Sequence, residues 1–225
     1  MSKGLFNWLF PSYCVQCKSP VSASLGLCEY CLEDLALLDV TKHPNLLHRP
    51  DIVDMFPNCE FDRLFACAFY RPPFEQWLTQ LKFSNQIHYK KALQQIVNKQ
   101  LDAFFTCSTQ SPDLFIILPL HKSRFLKRGF NQVSQVWHPC LRSRVVLSNA
   151  LIRNKKTHAQ SQLTKAKRVK NLTNAFICTE DMNGKTVAIV DDIMTTGATL
   201  NAATQALKKA GAKQVWAFTT CLTPI

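Results

Sequence analysis

No apolar run in this chain approaches the roughly 18 uninterrupted residues that a membrane-spanning helix needs. Nor does the N-terminus read as a secretory leader. Lys3 is followed only by a brief apolar stretch, Leu5 to Phe10, which Asn7 interrupts and Pro11 stops, too short for the apolar core of a signal peptide. A cytoplasmic protein with no membrane span is therefore expected. The GxxxxGKS/T phosphate loop is absent, which argues against an ATPase. Neither an internal repeat nor a low-complexity tract is present. Acidic residues are few: 15 Asp and Glu stand against 27 Lys and Arg, a formal net charge of +12. From His121 to Lys170 there is no Asp or Glu at all. The same stretch holds Lys122, Arg124, Lys127, Arg128, Arg142, Arg144, Arg153, Lys155, Lys156, Lys165, Lys167, Arg168 and Lys170. A solvated basic face is the plain reading of a charge run. The alternative is a surface that gathers phosphorylated substrates or nucleic acid.

What remains is a globular composition, 47% hydrophobic and 19% charged over 225 residues. Such a length accommodates a main domain of roughly 150 to 180 residues and a small appendage. The ten cysteines are not spread as a disulfide framework. Cys14-x2-Cys17, a ten-residue spacer and Cys28-x2-Cys31 form two knuckles. Each knuckle turns two thiolates toward one ion, and two knuckles close the tetrahedral shell of a structural Zn²⁺ with no position left for a catalytic water. Redox chemistry is the competing reading, but a redox CxxC opens a helix after a strand, whereas Pro11 and Pro20 flank these pairs. Cys59, Cys67, Cys107, Cys140, Cys178 and Cys221 stand singly and read mostly as small buried hydrophobes.

Strand and helix signals alternate from about residue 60 onward, which predicts an α/β domain with a mainly parallel sheet and flanking helices. A short helix is expected over Cys31 to Leu38, and a proline-punctuated connector over His43 to Pro57. Strands are expected at Phe61 to Tyr70, Leu114 to Leu118, Val145 to Leu147, Val187 to Val190 and Gln214 to Thr220. Helices are expected at Phe74 to Phe83, Tyr89 to Phe105, Asn131 to Cys140, Lys165 to Leu172 and Thr199 to Ala210, the last ended by Gly211. Leu93, Ile96, Val97, Leu101 and Phe104 carry the helical spacing of the second. The division expected is a four-cysteine module over 1–40, a connector over 41–60 and the α/β domain over 61–225.

The sharpest signal is VAIVDDIMTTGAT, from Val187 to Thr199. Four apolar residues make a strand buried on both faces. Asp191 and Asp192 follow where that strand is expected to leave the sheet, the edge that hosts ligands in such folds. Thr195, Thr196, Gly197, Ala198 and Thr199 then turn into a helix whose N-terminus, with its hydroxyls and N–H groups, can cradle a phosphate. A carboxylate beside it repels phosphate but accepts hydrogen bonds from sugar hydroxyls. The order describes a ribose 5-phosphate.

This segment resembles the phosphoribosyl-pyrophosphate (PRPP) binding signature of type I phosphoribosyltransferases. The resemblance implies that the acids contact the ribose hydroxyls, that the loop holds the 5′-phosphate, and that Mg²⁺ arrives on the pyrophosphate. Two further segments extend it. The first is Leu118-Pro119-Leu120-His121-Lys122-Ser123-Arg124 leading into Lys127-Arg128-Gly129-Phe130-Asn131-Gln132, a strand end and basic loop where those enzymes bind pyrophosphate. The second runs from Leu151 through Arg153, Lys155, Lys156, Thr157 and Gln160 to Phe176, and resembles their flexible loop. With the N-terminal cysteines, the whole chain resembles the ComF family, also called GntX-type proteins.

That family resemblance implies cytoplasmic handling of single-stranded DNA during natural transformation, with other competence proteins as partners. His121, Lys122, Arg124, Lys127 and Arg128 would meet pyrophosphate or a DNA backbone. Phe125, Phe130 and Trp137 would stack bases or fill the core, and His121 and His138 read as structural or phosphate-adjacent. Three readings stay open: a competence protein binding PRPP and single-stranded DNA, an active phosphoribosyltransferase with Asp191 and Asp192 as catalytic acids and an unidentified nitrogen acceptor, and a PRPP sensor.

Overall fold

The computed structural model describes residues 12–84, 86–120, 122–153 and 175–224. Two short strands, β1 (Ser12–Tyr13) and β2 (Pro20–Val21), pair antiparallel, and α1 (Glu29–Glu33) follows. A 3-10 turn at Leu46–His48 leads into α2 (Pro50–Met55). The main domain then runs β3 (Arg63–Phe69), α3 (Phe74–Ser84), α4 (Ile87–Cys107), β4 (Leu114–Ile117), α5 (Lys122–Arg128), α6 (Gln132–Leu141), β5 (Leu151–Arg153), β6 (Phe176–Cys178), β7 (Thr186–Met194), α7 (Ala198–Lys209) and β8 (Gln214–Leu222).

The main sheet is four-stranded and parallel throughout, in the order β3-β8-β7-β4. Its strands are mostly apolar because both faces are covered, with Asp191 and Asp192 in β7 and Thr219 and Thr220 in β8 as polar breaks. Alternation along β8 divides the core: Trp216 and Phe218 face α3, α4 and α6, whereas Val215 and Ala217 face α7 and α2. The first side is aromatic. Phe218 stacks on Phe65 at 4.9 Å and meets Phe104, Phe115 and Trp137 edge-on. All five residues with the helical spacing in α4 are buried there, the outcome of one apolar stripe seated on a sheet.

Several expectations shift. The acids belong to β7, which continues to Met194, so they lie within the sheet's last residues instead of beyond it. Lys122–Arg128 is a helix, not a basic loop. Val145 to Leu147 forms only a parallel bridge, Leu147 to Phe115. The short helix after the knuckles begins at Glu29, with Cys28 at its N-cap. The segment read as a connector holds α2 and places Leu46, Ile52 and Phe56 in the core. The helix expected over Lys165 to Leu172 lies outside the described residues. Among those described, no helix is long and apolar enough to cross a membrane.

The cysteine module is seated on α4. Gln95 Oε1 accepts from the Gly26 and Leu27 N–H groups at 2.6 and 2.7 Å, and its Nε2 donates to the Leu27 carbonyl at 3.1 Å. Gln100 Nε2 reaches the Leu38 and Cys67 carbonyls at 2.8 and 3.0 Å, tying the module's exit to the edge strand β3.

Candidate functional site: an acid pair, a threonine loop and a four-cysteine cluster

Strand β7 delivers Asp191 to a shallow, open cleft lined by Asp191, Met194, Thr195, Gly197, Ala198 and Thr199, among others. Gly197 adopts φ +73° as the N-cap of α7, a conformation that disfavours side chains. Among the described residues no side chain caps this helix, which leaves its first N–H groups without a side-chain partner. Thr195 is exposed. The Thr196 hydroxyl is buried and has no hydrogen-bond partner among the described residues. A buried hydroxyl left unpaired is costly, and at a helix N-terminus an anion would satisfy it.

The two acids are not equivalent. Asp192 is only 8% exposed and does not line the cleft. Its Oδ2 accepts from Gln132 Nε2 at 3.0 Å and lies 3.1 Å from Lys82 Nζ, and its Oδ1 accepts from the Ile193 N–H at 2.9 Å. Asp191 Oδ1 accepts from the Asp192 N–H at 2.8 Å. Burial and the Asp192 charge push the Asp191 carboxyl up to about 8. Burial would also raise Asp192, but the Lys82 ammonium and the Gln132 amide outweigh it and hold that carboxyl below its ordinary range.

Gln132 is in turn held by the basic segment. Arg128 donates to Gln132 Oε1 at 2.7 Å. Gly129 turns the chain at φ +77°. Asn131 caps α6, accepting from the Val133 N–H at 3.0 Å while its Nδ2 donates to the Leu118 carbonyl at 3.1 Å. The Arg-Gly-Phe-Asn-Gln run thus seats α6 on the end of β4 and aims Gln132 at Asp192. Lys82 and Gln132 were absent from the sequence-predicted site. Gln132 carried a signal, its place in that run, whereas Lys82 carried none.

Arg153 ends strand β5 instead of lying in a loop, with its guanidinium 5.3 Å from the Phe176 ring centroid. Trp137 is fully buried and donates to Thr220 Oγ1 at 2.9 Å, so it is core and cannot stack a base. Phe125 is half exposed and His138 exposed. Lys122, Arg124 and Lys127 contribute backbone to α5, and their side chains lie outside the description. So do residues His121, Lys155, Lys156, Thr157 and Gln160 altogether.

Away from this cleft, the Sγ atoms of Cys14, Cys17, Cys28 and Cys31 all lie within 4.8 Å of one another. Cys17 and Cys28 are 3.6 Å apart, and none of the four is in a disulfide. Metal–sulfur bonds of about 2.3 Å in a tetrahedron place sulfurs about 3.8 Å apart. The four thiols therefore fit a tetrahedral ion and fill its shell. The Ser19 hydroxyl, 3.3 Å from Cys17 Sγ, pulls that thiol down to about 6, whereas burial and the neighbouring thiols push Cys31 up; a metal requires all four as thiolates. Of the single cysteines, Cys67, Cys140 and Cys221 are buried, Cys59 and Cys178 partly so, and Cys107 is exposed.

Comparison with known proteins agrees with this geometry. The phosphoribosyl transferase domain model matches residues 138–224, a span that takes in β5 to β8, the acids and the threonine loop. The DNA utilization protein YhgH of Escherichia coli O6:H1 is 32% identical, over 95% of this chain and 98% of its own. Competence protein F of Haemophilus influenzae is 28% identical, over 90% of this chain and 94% of its own. Competence protein ComFC of Streptococcus pneumoniae is 26% identical, over 66% of this chain and 63% of its own. The parallel sheet with its strand-loop-helix is a phosphoribosyltransferase-type fold, preceded by a four-cysteine module.

Proposed function

Because this chain belongs to the ComF/GntX family, we propose that it is a competence-associated protein that binds PRPP, or a related ribose 5-phosphate, and single-stranded DNA. It works in the cytoplasm with other proteins of DNA uptake. The observation that carries the ligand reading is the Thr195–Gly197 loop: an uncapped helix start, a glycine in the left-handed region, and a buried Thr196 hydroxyl without a partner. The loop takes the 5′-phosphate, Asp191 accepts from a ribose hydroxyl, and Mg²⁺ comes with the pyrophosphate. Cys14, Cys17, Cys28 and Cys31 hold a structural Zn²⁺. Basic residues of the segment around α5, Lys122, Arg124, Lys127 and Arg128 with His121 before them, meet the pyrophosphate or the DNA backbone. Of the loop expected to cover the ligand, Lys155, Lys156, Thr157 and Gln160 keep that role.

Two measurements test this. A ligand at a hundred times its Kd stabilises a protein by about 2.7 kcal/mol, and at about 2–4 °C per kcal/mol saturating PRPP–Mg²⁺ raises Tm by about 5–10 °C. Fluorescence anisotropy should show tighter binding of a single-stranded oligonucleotide than of a duplex. Each phosphate contact contributes about 0.7 to the log–log salt slope, so Arg124→Ala with Arg128→Ala lowers it by about 1.4. An unchanged slope in that double variant removes the DNA reading.

Active transfer is the second reading, favoured by an acid standing in the same cleft as the loop. It requires acceptor-dependent pyrophosphate release from PRPP that Asp191→Ala abolishes. No release across a library of bases and amines leaves binding without chemistry.

A further inference from the structure

Asp192 is clamped from two helices. Lys82 comes from the last turn of α3, whose Phe74, Trp77, Leu78 and Leu81 are sunk in the aromatic core. Gln132 comes from the first turn of α6, fixed to the end of β4 by the Asn131 cap. Neither anchor can move without disturbing buried packing.

The clamp is chemically self-consistent. Three donors converge on Asp192: the Gln132 amide, the Lys82 ammonium and the Ile193 N–H. A carboxylate this buried needs a counter-charge and hydrogen bonds, and Lys82 supplies the charge. The Gln132 side chain is only workable one way round. Its Nε2 points to the carboxylate because its Oε1 accepts from Arg128; flipping it would set oxygen against oxygen and NH₂ against guanidinium. The chain Lys82, Asp192, Gln132, Arg128 thus links α3, β7, α6 and α5.

Asp191 has a different setting. It lines the cleft beside Thr195, Gly197 and Thr199, and its backbone partner in β8 is Thr219. Neighbours on one strand end up with different tasks, one lining the cleft and one facing two helices.

We propose that Lys82 and Gln132 are positioning residues of the ribose-phosphate site. They fix Asp192 as a charge-compensated strut under the loop and leave Asp191 as the acid that meets the ligand. This rests on the reading of the cleft as a ribose-phosphate site. Removing the Lys82 charge unseats Asp192, and the strand end that carries Asp191 into the cleft loses its brace. Arginine in place of Lys82 keeps a cation within reach.

The test is a double-mutant cycle on the zinc-loaded full chain, with Lys82→Met, Asp192→Asn, both together, Lys82→Arg and Asp191→Asn. Calorimetric affinity for PRPP–Mg²⁺ is measured at a temperature where every variant is folded, and Tm is measured without ligand. Lys82→Met and Asp192→Asn should each weaken binding at least tenfold, and the double variant no more than the worse single. Lys82→Arg should return to within about threefold of wild type, and Asp191→Asn should lose affinity without losing Tm. Multiplicative losses would mean that Lys82 acts apart from Asp192, and wild-type affinity in Lys82→Met would remove the clamp; either overturns the proposal. Should Lys82→Met not fold, Lys82→Gln and Gln132→Leu carry the same cycle. If the wild type binds no PRPP–Mg²⁺, the ribose-phosphate reading fails, and the clamp then stands or falls on Tm. Non-additive Tm losses retain the strut, and additive or absent ones discard it.

Discussion

Gly26 sits against α4 with no room for a side chain. A methyl group there would lie 2.2 Å from the Ala92 nitrogen, 2.7 Å from the Ala92 Cα and 2.8 Å from the His88 carbonyl oxygen. All three atoms are backbone of one helix, so none can swing aside. In Gly26→Ala the cysteine module must therefore lift from α4. Lifting strains the Gln95 clamp, whose bonds to Gly26 and Leu27 are 2.6 and 2.7 Å long. Overpacking costs about 2 kcal/mol, and each of two lost hydrogen bonds about 1 kcal/mol. The sum, about 4 kcal/mol, is a large share of a domain's typical stability of about 5–15 kcal/mol. At about 2–4 °C per kcal/mol, Tm should fall by about 10 °C. Scanning fluorimetry of zinc-loaded protein measures it. Gly129→Ala is the control: its Cβ would meet nothing within 4 Å, so it bears only the left-handed backbone cost of about 1–2 kcal/mol. A Gly26→Ala protein melting within about 2 °C of wild type would refute the docking described here.

Other outcomes follow from the same structure. The folded protein keeps a proton on Asp191 up to about pH 8, whereas an unfolded carboxyl loses it near about 3.9. Stability from this group therefore falls as pH rises from about 4 to 8 and levels off above. Asp191→Asn should flatten that part of the Tm profile, and superimposable profiles from pH 5 to 9 would contradict it. Cys28→Ser should cut zinc from about one ion per chain to a small fraction by elemental analysis. Retention of full zinc would show that the cluster is not the site. Base stacking is worth about 1–3 kcal/mol, so exposed Phe125, changed to Ala, should weaken single-stranded DNA binding about fivefold or more. Buried Trp137, changed to Phe, should leave that affinity alone. The reverse pattern would place the DNA elsewhere.

What the sequence disclosed depended on how local each feature was. The α4 stripe was legible because an amphipathic helix repeats its apolar positions, and all five residues named from that spacing are buried. The cysteine knuckles and the Asp-Asp-x-x-Thr-Thr-Gly loop were legible because each completes its geometry within a few residues. The brace on Asp192 was not, since Lys82 and Gln132 reach it from helices far apart in the chain and only the packed core brings them together. Trp137 lies between two basic groups in sequence, Arg124 to Arg128 and Arg142 to Arg144, yet is fully buried, because α6 turns one face to the sheet. The segment expected as a basic loop is helical, and neither a turn residue nor a clear period in Lys122–Arg128 announced it.

The claim that matters most is that the loop after β7 holds a phosphate. The Thr196 hydroxyl tests it directly, because valine keeps the branched shape and puts a methyl group where the hydroxyl is buried without a partner among the described residues. Calorimetric titration with PRPP–Mg²⁺ should give one site per wild-type chain and an affinity at least tenfold weaker in Thr196→Val. Tm without ligand should be equal or higher in the variant, since an unpaired polar group has been taken out of the interior. Equal affinity in the two proteins, or no binding by the wild type, would contradict the account.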